Sequence, residues 1–217
     1  MKVCTDACIL GAYADLGLGG RLLDIGTGTG LLALMAAQRN ERARIDAVEM
    51  DDAAYGQAVE NVTASPFAER VRVMHSRIQA FGADPYDRVL SNPPFYTNHL
   101  RSPDAALNRA LHNADLPFEE LIASVVRLLK KDGQWWVLLP PFEMERLSAE
   151  ALRAGLRPFR HLLVRHHAQK PVFRQISGFS YEAPAQPETE HLAIYEMDGR
   201  TYTEPFRLLL ASFYLIF

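Results

Sequence analysis

Apolar and polar positions along this chain follow two different periods that replace each other in order. Short apolar runs predict buried strands at "RLLDIG" (Arg21–Gly26), "ARIDAVEM" (Ala43–Met50), "RVRVMHS" (Arg70–Ser76) and "YDRVLSN" (Tyr86–Asn92). Between the first three lie "TGLLALMAAQR" (Thr29–Arg39) and "DDAAYGQAVENVTA" (Asp51–Ala64), rich in helix formers and, in the second, opened by acids that suit a helix N-terminus. A first helix is predicted at Asp6–Ala14, with Thr5 or Asp6 as cap and Gly17, Gly19 and Gly20 ending it. Further along come a helix Pro117–Lys130, a strand Gln134–Pro140 and a helix Glu143–Ala154 closed by Gly155. Strand patterns then follow one another at Phe159–His167, Val172–Tyr181 and His191–Met197, and Glu204–Phe217 is a closing helix and tail. Alternating strands and helices predict an α/β fold with a parallel, doubly wound sheet. The helix-free end predicts antiparallel pairing. The stretch "EAPAQPETE" (Glu182–Glu190) reads as a polar surface loop, and Pro93 to Asp115 as a long loop of little periodicity, the kind that usually carries function.

Composition changes this picture little. The chain has 217 residues, 48% apolar and 23% charged, which predicts one domain over residues 1–217 with a full core. The net charge of −3 excludes a globally basic nucleic-acid binder, so any nucleic-acid partner must be met by a local patch. Cys4 and Cys8, the only cysteines, are four apart and make neither a distant staple nor a metal site by themselves. With no run of 18 apolar residues and no signal-peptide pattern, a cytoplasmic location is expected, with no membrane and no metal partner.

The candidate chemistry gathers at strand ends. Gly26, Gly28 and Gly30 lie between the first strand and its helix, where an open α/β sheet binds its ligand. No Lys-Ser/Thr follows, so this is not a P-loop. The glycine spacing also departs from the dinucleotide fingerprint. Asp24 precedes the loop by two residues, and Glu49 ends the second strand 25 residues beyond it. Singly, Asp24 is better explained as a loop cap and Glu49 as a strand-end surface acid. As a set in this order they point to a nucleoside cofactor, with Glu49 placed to grip ribose hydroxyls. The fourth strand ends in "SNPPF", Ser91 to Phe95. The Asn92 amide oxygen and the Pro93 carbonyl are two acceptors for an exocyclic amine, Pro94 stiffens the mount, and Phe95 offers a face on which a planar base stacks. A Pro-rich strand exit with a core Phe explains the motif taken alone equally well; its place at the end of the fourth strand, after the glycine loop, favours the chemical reading.

The Gly26-Gly28-Gly30 loop with Asp24 and Glu49 resembles the motifs of class I S-adenosylmethionine-dependent methyltransferases. That resemblance implies a Rossmann-like, mostly parallel seven-stranded sheet with an antiparallel C-terminal hairpin and helices on both faces. It also implies S-adenosylmethionine as cofactor. Asn92 to Phe95 is similar to the Asn/Asp-Pro-Pro-Tyr/Phe of amino-methyltransferases that act on adenine N6, cytosine N4, guanine N2 or a glutamine amide. "MKVCTDACILGAYA", "AVENVTASPFAERVRV", "SNPPFY" and "FYLIF" resemble the bacterial tRNA1(Val) (adenine-N6)-methyltransferases over the whole chain. That family implies a valine tRNA as substrate, methylated on adenine 37 beside the anticodon. A guanine-N2 rRNA or glutamine methyltransferase, or a module with lapsed catalysis, are the alternatives. The resemblance further places Thr5, Asp6, Met50 and Ile78 at the cofactor. Family members usually carry a segment before "MKV", and an Asp where this chain has Arg77, with Gln79 or backbone groups the expected substitutes. For RNA contact the candidates are Arg160, Arg165, Lys170 and Arg174, joined by His166 and His167 and by His99, Arg101, Arg109 and His112 of the long loop.

Overall fold

The structure is a computed structural model and describes residues 4–94 and 116–216. The eight strands among the described residues are β1 (Arg21–Ile25), β2 (Arg44–Glu49), β3 (Val71–His75), β4 (Tyr86–Ser91), β5 (Leu129–Leu139), β6 (Arg157–Arg165), β7 (Val172–Ser180) and β8 (Glu188–Ala193). The helices among the described residues are α1 (Thr5–Tyr13), α2 (Leu31–Arg39), α3 (Asp52–Thr63), α4 (Phe118–Leu128), α5 (Pro141–Arg153) and α6 (Glu204–Leu210). All strands join one sheet in the order β3-β2-β1-β4-β5-β7-β6-β8. The five strands from β3 to β5 run parallel, β7 is antiparallel to both its neighbours, and β8 is parallel to β6.

The central strands are buried on both sides, which is why they read as continuous apolar runs rather than as alternation. Their residues nevertheless divide by period two. On β5, Trp136 and Leu138 enter the layer that packs α1, α2 and α6, while Trp135, Val137 and Leu139 enter the opposite layer under α4 and α5. Helix α4 buries Leu121, Ile122, Val125 and Leu128, spaced for one face of a 3.6-residue period. None of the helices among the described residues is long and apolar enough to cross a membrane.

Most element ends differ from the expectation by a few residues, and Cys4 rather than Thr5 or Asp6 stands at the α1 cap; three differences change the architecture. The sheet has eight strands rather than seven, because the last strand pattern joins it beside β6. That strand also starts earlier, at Glu188 inside the stretch expected to be a surface loop, and stops at Ala193. Its charged start is held by Arg160, which faces Glu188 at 2.7 Å and Glu190 at 4.0 Å, and by the Tyr13 hydroxyl, which donates to Glu190 at 2.7 Å. Sequence alternation alone scores those glutamates as loop. Finally, β5 begins at Leu129, directly after α4. Pairing of Leu129 with Tyr86, followed by a register shift, extends the strand through the polar "KKDG".

Gly178 shows how tightly the middle of the sheet is filled. It pairs with Trp136 on one side and Arg160 on the other. A methyl group on it would lie 2.6 Å from Phe159 Cζ and 3.0 Å from Trp136 Cη2, and those two rings already meet edge to face at 5.2 Å. Replacing Gly178 with Ala is expected to cost about 1–3 kcal/mol through overpacking. Urea unfolding of the variant and the parent protein, compared at equal m-value, checks it.

Candidate active site

The carboxyl ends of the parallel strands open into a cavity of about 360 Å³, within the size range of small-molecule sites. The loop after β1 forms its floor. Gly26, Gly28 and Gly30 all adopt left-handed backbone, with φ of 68°, 59° and 86°, a conformation that a side chain disfavours. Nothing lies within 4 Å of where a Cβ on Gly26 would stand, so conformation rather than crowding selects glycine there. Val48 O accepts from the amides of Gly26 at 2.9 Å and Thr27 at 3.1 Å, tying the loop to the end of β2.

Two buried carboxylates organise this loop. Glu49 Oε2 accepts from the Gly28 amide at 2.8 Å, and Oε1 accepts from the amides of Met50 at 2.8 Å and Asp51 at 2.9 Å. One side chain therefore closes the turns after both β1 and β2. Asp24 lies deeper. Its Oδ2 accepts from Thr27 Oγ1 at 2.5 Å and the Ala33 amide at 3.2 Å, bracing the first turn of α2 against the loop, while Oδ1 is buried with no hydrogen-bond partner among the described residues. Burial pushes the Asp24 carboxyl up to about 7, against the pull of the Thr27 and Ala33 hydrogen bonds and with a further push from the Glu49 charge.

The rest of the lining comes from several elements. Ser76, Ile78 and Gln79 follow β3, and Ser91, Asn92, Pro93 and Pro94 end β4. Cys4 and Ala7 come from the start of α1, and Leu116 and Leu121 from around the start of α4. Ser91 is fully buried and accepts from Trp135 Nε1 at 2.9 Å, which fixes the strand end just before Asn92.

The structure thus brings Gly26, Gly28, Glu49, Met50, Ile78, Asn92, Pro93 and Pro94 to one cavity. Gly30 caps α2 behind it, and Asp24 supports the loop without lining the space. Thr5 and Asp6 do not line it either. The first turn of α1 reaches the cavity through Cys4 and Ala7, while Asp6 turns away to an ion pair with Arg174 Nε on β7 at 2.6 Å. Arg77 is exposed and absent from the lining, and the Gln79 amide nitrogen is directed to Glu120 Oε2 at 2.5 Å. Phe95 and the loop residues His99, Arg101, Arg109 and His112 lie outside the described residues. Sequence reasoning missed Cys4, Ala7, Ser91 and Trp135. Cys4, Ala7 and Ser91 lie within quoted motifs, but their residue types signal no chemistry there, and only the packing of α1 and the pairing of β4 with β5 bring these four residues to the site.

A glycine loop, a strand-end acid and an Asn-Pro-Pro rim at the carboxyl edge of this sheet define a class I, Rossmann-like methyltransferase fold. Two solved structures share that fold: a methyltransferase from Pyrococcus furiosus, with TM-score 0.60 and 19% identity over 79% of this chain and 80% of that one, and TrmN from Thermus thermophilus, with TM-score 0.58 and 22% identity over 80% of this chain and 47% of that one. The model of the methyltransferase small domain family matches residues 9–152. Proteins named tRNA1(Val) (adenine(37)-N6)-methyltransferase match the whole chain. The one from Dyadobacter fermentans is 46% identical over 100% of this chain and 92% of its own length, and the one from Serratia proteamaculans 40% identical over 100% and 85%. The chain belongs to the methyltransferase small domain family and, within it, to the tRNA1(Val) (adenine(37)-N6)-methyltransferase family.

The buried Asp24 carboxyl makes a prediction about pH. Its folded-state value, about 7, lies above the ordinary 3.8, so the folded protein holds this proton more tightly than the unfolded chain does. Its contribution to stability is therefore full below about pH 4 and is lost as pH rises toward 7, by on the order of 1 kcal/mol per pH unit at most. The Asp24→Asn variant lacks this loss. The difference in unfolding free energy between variant and parent is expected to move in favour of the variant from pH 4 to pH 8. Urea unfolding across that range measures it, and a flat difference would show that Asp24 stays ionised.

Proposed function

We propose that this protein transfers a methyl group from S-adenosylmethionine to the exocyclic N6 of adenine 37 in a valine tRNA. The observation that carries the reading is the meeting of the Gly26–Gly30 loop, Glu49 and the Asn92-Pro93-Pro94 rim around one cavity. The names of the full-length relatives support the choice of adenine and of tRNA.

The residues present fit the cofactor. Glu49 Oε2 carries one amide bond and keeps acceptor capacity for a ribose hydroxyl, whereas Oε1 already accepts two. In this reading the left-handed glycine loop lets backbone approach the methionine part, and Ile78 packs on the adenine ring. Bound S-adenosylmethionine supplies an electrophilic methyl group on a sulfonium. Asn92 and Pro93 face the incoming amine. An adenine amino group is a weak nucleophile because its lone pair is delocalised into the ring. In our reading the Asn92 amide oxygen and the Pro93 carbonyl each accept one of its N–H bonds. This would draw the nitrogen toward a pyramidal form and stabilise the positive charge that grows on it as the new C–N bond forms and the methyl–sulfur bond breaks, the sulfur leaving as a neutral thioether. The proton becomes acidic only after methylation, so no strong base is required beforehand. Pro93 and Pro94 fix the backbone, and the Trp135–Ser91 hydrogen bond holds the strand end beneath them, which preorganises the acceptors.

The test is incubation of the full chain with methyl-labelled S-adenosylmethionine and unmodified valine tRNA, then digestion to nucleosides. N6-methyladenosine from position 37 is expected, and N2-methylguanosine or no labelled nucleoside would overturn the reading. Asn92→Ala is expected to lower kcat about 10²–10³-fold, the scale for losing one aimed transition-state contact. Cofactor affinity, read by calorimetry, should stay near that of the parent protein.

A further inference from the structure

From Ala151 to Tyr181 the chain has no acidic residue, although it carries 26 acids in all; the same stretch holds six Arg or Lys and three His. The fold sorts these cations. Arg153 and Arg157 lie at the amino end of β6, away from the cavity. Arg160 is paired with Glu188 and Glu190, and Arg174 with Asp6. What is left at the cavity's end of the sheet is the turn between β6 and β7, with Arg165, His166, His167 and Lys170.

This turn is built rather than loose. Arg165 Nη1 donates to Lys170 O at 2.9 Å, and the Lys170 amide to His167 O at 2.9 Å. His166 O accepts from the Tyr195 amide at 2.8 Å. The His166 ring lies flat on Phe173, with centroids 4.0 Å apart and planes 7° from parallel. Phe173 packs against the core and His166 is exposed, so a rigid ring is presented outward. Arg165 also lines a shallow groove at the end of β8 with His191, where Glu196 is the one acid among the described residues. Across the sheet, β7 is two strands from β4 and β6 three, roughly 10 and 14 Å from the strand that carries Asn92.

We infer that the β6–β7 turn is the surface that holds the RNA beside the reacting base, with Lys170 and Arg165 on phosphates and His166 as a stacking shelf for a neighbouring base. The inference rests on the tRNA reading above. A carboxylate-free turn suits a polyanion, and phosphate contacts position while flat rings take up unpaired bases. In a protein of net charge −3, such a patch is where a nucleic acid is met.

Binding of unmodified valine tRNA to the full chain, measured from low to moderate salt, tests this. The Arg165→Ala/Lys170→Ala double variant is expected to lower the slope of log affinity against log salt by about 1.4–1.8, the value for two lost phosphate contacts. Its loss should fall on KM for tRNA rather than on kcat, with cofactor affinity kept. His166→Ala is expected to bind on the order of tenfold more weakly with the slope unchanged. Arg157→Ala, at the far end of β6, serves as control. If Arg165→Ala loosens the turn, as a lowered Tm would show, Lys170→Glu decides the phosphate contact alone. Unchanged affinity and slope in these variants, or an equal effect of Arg157→Ala, overturns the surface while leaving the methylation reading intact. A parent protein that does not bind valine tRNA at all overturns both.

Discussion

The hydrogen bond from the Gly28 amide to Glu49 Oε2 ties together the two turns on which the cavity depends. Glu49 is buried, and a buried carboxylate is costly unless donors surround it. Here three backbone amides do so, one from the turn after β1 and two from the turn after β2. Those amides would be orphans in so tight a pair of turns, and each solves the other's problem. The glycines follow from this. To bring the Gly28 amide to Glu49 while starting α2 within three residues, the chain must turn through left-handed backbone at positions 26, 28 and 30. Asp24 adds a second brace from below, at the expense of a carboxyl oxygen left without a partner among the described residues.

The same economy governs the outer part of the sheet. Charges that read alike in the sequence have different work once the strands are paired. Arg160 fastens β8 to β6, and Arg174 fastens α1 to β7, so that the first turn of α1 stands against the cavity with Cys4 and Ala7. Trp135 is both a core ring, tilted against Phe179, and the donor that secures Ser91 next to Asn92. The site is thus held by contacts from widely separated parts of the described chain, and its precision comes from the sheet rather than from the motif residues alone.

Much of this was legible in the residues. Period and punctuation placed the helices and strands around the crevice to within a few positions, because buried parallel strands and amphipathic helices write their burial into local pattern. The Gly26–Gly30 loop, Glu49 and Asn92-Pro93-Pro94 were legible because their chemistry depends on backbone shape and residue type at a strand end, both local properties. The eighth strand was harder to read, since Glu188 and Glu190 look like loop until Arg160 and Tyr13 are seen opposite them.

Tertiary structure alone decided which charged groups are committed and which line the cavity. A sequence lists Asp6, Arg160, Arg165, Lys170 and Arg174 without saying who faces whom. Pairing partners separated by 168 residues, as Asp6 and Arg174 are, depend on strand order and register, which no local window encodes. By itself the sequence determined the glycine loop, the strand-end acid and the Asn-Pro-Pro rim of the crevice, because those follow from short-range geometry. The fold determined the walls, the braces and which cations stay in the β6–β7 turn, because long-range contacts exist only once the sheet has closed its order.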